Sequence, residues 1–153
     1  MNSLELKIPP PLVALCVGLL MWFVSSADVP FEIPLLLRAI AGIVFGIVGF
    51  SFGFAGFLSF RRAKTTINPT KPMSSSSLVT TAAYRYTRNP MYLGLLLILL
   101  GWGTYLASPV AFLFLPLFML YINRFQIAPE EHALSSMFGA EFSAYKARVR
   151  RWL

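Results

Sequence analysis

The chain is poor in the residues on which soluble enzymes rely, with one cysteine, one histidine and six Asp and Glu among 153 residues. A single cysteine, Cys16, excludes an intrachain disulfide framework, and inside an apolar run it behaves as a small hydrophobe. With only His132 and no paired Cys there is no H-E-x-x-H element, and no Gly-rich phosphate loop or Ser, His and Asp set is present. Hydrolysis by a metal or a triad is therefore disfavoured, and no metal is expected. No acidic residue lies deep within an apolar stretch, which argues against a proton relay or a transporter.

What the chain does have is apolar surface. Hydrophobic residues make up 57%, charged residues 12%, and the mean hydropathy is +0.68, too few polar side chains to coat a water-soluble sphere. Thirteen Lys and Arg give a formal net charge of +7. Basic residues that flank apolar spans answer to the positive-inside rule and to anionic headgroups, so membrane lipids are the expected partners and nucleic acid is not.

Four stretches are long enough to cross a hydrocarbon core of about 30 Å. They run over about 11–27, 34–60, 91–107 and 109–127, and Ser108-Pro109 makes the last two an antiparallel hairpin. The segment 61–90 carries Arg61, Arg62, Lys64, Lys71, Arg85 and Arg88 with no acid and is expected in the cytoplasm, whereas Asp28 and Glu32 mark an outer loop. Both termini are then cytoplasmic, and the brevity of the chain favours a bacterial inner membrane. The expected fold is a single all-α membrane domain over 1–153, with about four transmembrane helices and a cytoplasmic tail, 129–153. That tail ends in an amphipathic helix with Phe142, Tyr145, Val149 and Trp152 on one side, after a stop at Gly139.

In the second span Gly42, Gly46, Gly49, Gly53 and Gly56 recur every three or four residues, on one helical face. Such a face serves internal helix packing or the seam of a homodimer. A non-catalytic scaffold that assembles through it is the rival to any enzymatic reading.

Polar residues concentrate at the start of the third span and the end of the fourth. The hairpin brings Arg88, Asn89, Pro90 and Tyr92 near Arg124, Gln126, Glu130 and Glu131, so a polar pocket is expected at the membrane surface. Sequence detail sharpens this. Arg88, Asn89, Pro90, Tyr92 and Gly94 form an Arg-Asn-Pro-x-Tyr-x-Gly element. Glu130, Glu131, Leu134, Phe138, Gly139, Glu141 and Phe142 form a Glu-Glu-x-x-Leu-x-x-x-Phe-Gly-x-Glu-Phe element. From Asn68 onward the chain resembles the isoprenylcysteine carboxyl methyltransferase and phospholipid methyltransferase superfamily on these two ordered motifs.

The resemblance implies transfer of a methyl group from S-adenosylmethionine to a lipophilic small molecule or lipid at the cytoplasmic face. It implies that Ser76, Ser77, Leu78, Val79 and Tyr84 line the cofactor from the loop. It further implies that Asn89, Pro90, Met91 and Tyr92 close round it, and that Glu130 and Glu131 supply its carboxylate partners. A ligand bearing an ammonium and a sulfonium needs carboxylates and aromatic faces, which Glu130, Tyr84 and Tyr92 offer. The chain also departs from the family pattern. Ala82 stands where the loop commonly has Gly, Asn89 where the eukaryotic prenylcysteine enzymes have His, and Gln126 where those enzymes have the arginine that meets a substrate carboxylate. Arg124 is read either as a substitute anion contact with a catalytic role alongside Tyr92, or as an interface anchor.

Overall fold

A computed structural model describes residues 5–27, 29–63 and 77–153. The described residues are helical, with no strand among them. Helix α1 (Pro10–Ser25) begins at the proline run, whose fixed φ suits a first helical turn. Helix α2 (Leu35–Arg62) follows Pro34 and ends on Arg61 and Arg62, two cations placed at the negative end of the helix dipole. A 3-10 turn, Ala82–Arg85, leads to α3 (Pro90–Leu106). Then α4 (Pro109–Phe112), α5 (Phe114–Ile122), a π-helical turn (Asn123–Ile127) and α6 (Ala128–Arg148) run on as one helical stretch.

Two of these stretches, Leu35–Arg62 and Pro109–Arg148, are long and apolar enough to cross a bilayer, whereas α1 and α3 have 16 and 17 residues. Of the about four transmembrane helices expected from the sequence, two thus have the length and hydropathy of a crossing, and α1 and α3 form close to the expected bounds as shorter apolar helices. A soluble core helix is ruled out for α2. Only 6% of its apolar window is buried, and Leu36, Ile43, Ile47 and Phe50 are among the large side chains that it exposes. That much bare hydrocarbon needs lipid, so the protein is a membrane protein.

Glycine brings α2 and α3 into backbone contact. A Cβ added at Gly49 would lie 2.6 Å from the Gly94 carbonyl oxygen, one at Gly94 2.5 Å from the Gly49 carbonyl oxygen, and one at Gly101 2.8 Å from that of Gly42. At Gly56 it would meet Met91 Cγ at 2.8 Å. The face read as either internal packing or a homodimer seam is thus taken by α3 of the same chain, with Gly46 and Gly53 turned to open space. Helix α1 packs on the other side of α3, where Trp102 Nε1 donates to the Gly18 carbonyl at 3.0 Å and the buried Met21 lies against Gly103.

The 107–109 connection behaves as expected of a tight hairpin. Ala107 ends α3 in a left-handed conformation (φ 54°), and the Ser108 hydroxyl accepts from the Ala111 amide at 3.1 Å. The tail meets its expectation at Gly139 and departs from it further on. Gly139 (φ 48°, ψ −115°) is non-helical and breaks α6 into two limbs, the second of which continues to Arg148. Phe142 and Tyr145 are buried within the protein, whereas Val149 is extended (φ −124°, ψ 130°). The apolar side of the second limb therefore covers protein instead of lipid, and the last residues leave the helix to make the contacts described below.

Ala82 holds a left-handed φ of 52° at the start of the 3-10 turn, a conformation that costs an L-residue roughly 1–2 kcal/mol and glycine little. Ala82→Gly is expected to stabilise the protein by about 0.5–1 kcal/mol, the strain relieved less the extra entropy lost on folding. A rise in the unfolding temperature of purified protein checks it, and a fall would show that the turn tolerates the Cβ.

Candidate functional site

Four helix ends meet on one side of the protein. The start of α1, the end of α2, the start of α3 and the start of α6 enclose a cavity of about 460 Å3, the size of a small-molecule site. Pro9–Pro11 close it from α1, Gly53 and Phe60 from α2, Met91, Tyr92 and Leu95 from α3, and Glu130, Glu131 and Leu134 from α6. The loop ahead of α3 adds Ser77, Leu78, Val79 and Tyr84, and the second limb of α6 adds Phe142 and Tyr145.

The π-helical turn explains how Glu130 comes to face α3. One extra residue in a helical turn rotates everything after it relative to everything before. The turn is held from outside by the N-terminal segment. The Leu6 amide donates to the Phe125 carbonyl at 3.0 Å, and Gln126 Nε2 donates to the Ile8 carbonyl at 2.8 Å. From its far side, Tyr92 donates its hydroxyl to Glu130 Oε1 at 2.5 Å, which ties α3 to α6 across the cavity. Tyr84 is packed edge-on against Phe60, ring centres 5.5 Å apart, and its carbonyl accepts from the Tyr145 hydroxyl at 2.7 Å.

The two adjacent glutamates have opposite environments. Glu131 forms ion pairs with Arg88 (2.8 Å) and Arg151 (2.6 Å). Burial alone would raise its pKa, but hydrogen bonds from those two guanidiniums hold its carboxyl below the usual range. Glu130 has no basic partner among the described residues. Enclosure in the protein pushes its pKa up to about 7, with the charge of Glu131 adding to the rise and the Tyr92 hydrogen bond opposing it. An under-compensated carboxylate on the wall of a cavity is a group waiting for a cation.

Of the residues singled out from the sequence, Ser77, Leu78, Val79, Tyr84, Asn89, Met91, Tyr92, Glu130 and Glu131 all line this cavity. Pro90 is buried beneath it, with its ring beside Gly56. Ser76 lies outside the described residues. Arg124 does not line the cavity. Its guanidinium pairs with Glu5 Oε1 at 2.9 Å and lies over the Phe125 ring, half exposed, so it anchors the N-terminal segment and holds no position for a catalytic contact.

The sequence reading overlooked Pro9–Pro11, Gly53, Leu95 and Tyr145 as wall residues, and Arg151 as a partner of Glu131. The prolines were legible only as a helix start, and no spacing rule links residue 151 to residue 131. Comparison with known proteins bears on the same region. The profile of the phospholipid methyltransferase family matches residues 37–141, which include the first motif, the second as far as Glu141, and most of the cavity wall. The chain belongs to the phospholipid methyltransferase family. An uncharacterized protein of Haemophilus influenzae is 56% identical over 63 residues, 41% of this chain and 100% of that protein. No solved structure matches. Pro9–Pro11 at the start of α1, and Phe142 and Tyr145 in the second limb of α6, are wall residues outside the matched stretch.

Proposed function

We propose that the protein is an S-adenosylmethionine-dependent methyltransferase whose cofactor occupies the cavity between α3 and α6, with its cationic end against Glu130. The observation that carries this reading is the Glu130–Tyr92 pair. It is a carboxylate without a basic partner among the described residues, held by a phenol on the wall of a cavity of cofactor size, in a chain whose family is one of methyltransferases. The donor set also fits the ligand. Tyr84 and Tyr92 bring aromatic faces, and Ser77 Oγ is buried with no partner among the described residues, placed to bond a polar group of a ligand.

The cofactor supplies an electrophilic methyl group on a sulfonium; the chain's residues do the rest. Glu130 fixes the cation, and the enclosing Pro9–Pro11, Phe60 and Leu95 keep water from competing with the acceptor. In-line displacement needs this positioning more than it needs an acid-base pair. The acceptor in this reading is lipophilic and comes sideways from the bilayer. The cavity wall that faces the helix bundle is apolar, and Gly53 leaves open space at its edge. Four crossings with both termini in the cytoplasm of a bacterium complete the proposal, supported by the meeting of four helix ends on one side.

The pH response tests this. A cationic ligand is held by ionised Glu130, whose pKa is raised from 4.5 to about 7. Affinity for S-adenosylmethionine, measured by calorimetry in detergent or nanodiscs, is expected to rise with pH and to level off above about 7.5. Below 7 it should fall towards tenfold per pH unit. The ligand-free protein should show the opposite trend. Its folded state holds the proton more tightly than the unfolded chain, so stability present below about pH 4.5 is lost as pH rises through 7. Purified protein that binds neither the cofactor nor its demethylated product at any pH would end the enzymatic reading.

A further inference from the structure

The last five residues do not trail into solvent. The Arg88 amide donates to the Arg150 carbonyl at 3.0 Å, and Arg88 Nη1 donates to the Val149 carbonyl at 2.8 Å. The Arg151 carbonyl accepts from Asn89 Nδ2 at 2.9 Å and from the Thr87 hydroxyl at 3.2 Å. Beyond it, Trp152 Nε1 donates to Asn123 Oδ1 at 3.1 Å, and its ring packs on the core beside α5. The segment lies across the outside of the Arg-Asn-Pro element, beyond the stretch that the family profile covers.

We propose that Val149–Leu153 is a strap that sets the charge of the site, with Arg151 as a positioning residue that locks Glu131 and Arg88 together so that Glu130 alone presents negative charge to the cavity. Arg151 Nη2 and Nε reach Glu131 Oε2 and Oε1 at 2.6 and 3.2 Å, while Arg88 Nη2 shares Oε1 at 2.8 Å. One carboxylate thus receives two guanidiniums, and neither is left to compete for its neighbour. A two-pronged Arg-carboxylate pair fixes geometry as well as charge. Among the described residues the groups facing Glu130 are Tyr92 from α3, Tyr84 from the 3-10 turn, and Glu131 beside it on α6, with Arg88 and Arg151 behind Glu131; the described parts of α1 and α2 bring Pro9–Pro11, Gly53 and Phe60. Removing the Arg151 cation leaves Glu131 less neutralised, and its field then opposes ionisation of Glu130.

This inference rests on the cofactor reading for its function but not for its test. Titration of Glu130 in the ligand-free protein is followed by pH-difference infrared spectroscopy, with the carboxyl band assigned through Glu130→Gln. In Arg151→Met the midpoint is expected about half a unit to one unit higher than in the wild type, and in Arg151→Lys close to it. Cofactor affinity of Arg151→Met should fall about two- to fivefold at pH 7 and recover at pH 9, a recovery that simple loosening of the tail would not give. If the midpoint is unmoved, the strap proposal fails. If the midpoint moves and the wild type binds no cofactor, the strap stands and the enzymatic reading falls. Should Arg151→Met not yield folded protein, Arg151→Lys together with Trp152→Phe decides. Lysine keeps the charge and should leave the midpoint in place, whereas Trp152→Phe, which removes the strap's bond to Asn123, should raise it; a raised midpoint in the lysine variant or an unmoved one in Trp152→Phe overturns the proposal.

Discussion

Glu130→Gln is expected to weaken S-adenosylmethionine binding by about 1–3 kcal/mol, roughly five- to 150-fold, the scale of a charged hydrogen bond lost from a buried site. Glutamine keeps the volume and can still accept from Tyr92, so the effect reports charge rather than packing. Two further signatures separate it from general damage. The pH dependence of binding between about 6 and 7.5 should vanish, because the titrating group is gone. The ligand-free variant should also be at least as stable as the wild type above pH 7, where the native carboxylate is ionised with no basic partner among the described residues. Calorimetry and thermal unfolding on one preparation check both. Unchanged affinity would place the cation elsewhere. Glu131→Gln makes the contrast, because it strips the shared partner from Arg88 and Arg151 and is expected to destabilise the fold.

The second large effect lies in the membrane. Gly94→Val would drive a side chain into the backbone of α2, since even a Cβ there falls 2.5 Å from the Gly49 carbonyl oxygen and 2.9 Å from the Gly53 amide nitrogen. Flexible neighbours can yield to an added methyl at a cost of about 1–3 kcal/mol, but main chain packed on main chain cannot, so a loss above 3 kcal/mol is expected. The measurement is recovery of monodisperse protein after detergent extraction, followed by thermal unfolding. Gly46→Ala is the control: its Cβ would meet nothing within 4 Å, and wild-type stability is expected. If the two variants behave alike, the close approach of α2 to α3 is not what holds them together.

Much of this was legible beforehand, and for identifiable reasons. Apolar runs bounded by proline and charge mark helices because lipid tolerates no unpaired backbone, and the glycine repeat marks a face because helical periodicity is rigid. The left-handed φ of Ala82 was foreshadowed by its standing where related chains commonly have glycine. Other features depend on the sum of many weak preferences. Gly139 marks the break in α6, but what the second limb covers was settled by packing, and it buries Phe142 and Tyr145 at the cavity. Arg124 and Arg151 illustrate the same limit. Both are arginines near the membrane surface, yet one pairs with Glu5 outside the site and the other with Glu131 at its edge.

The amino-acid order alone determined that the protein is helical, that it belongs in a bilayer, and that its two polar motifs face each other across a hairpin, because each follows from local periodicity and short connections. Which of two neighbouring glutamates takes the arginines was decided only in three dimensions. The π-turn rotates Glu130 towards Tyr92, and the folded-back tail brings Arg151 to Glu131 from twenty residues away. Charge compensation depends on distance through space, and no spacing along the chain encodes it.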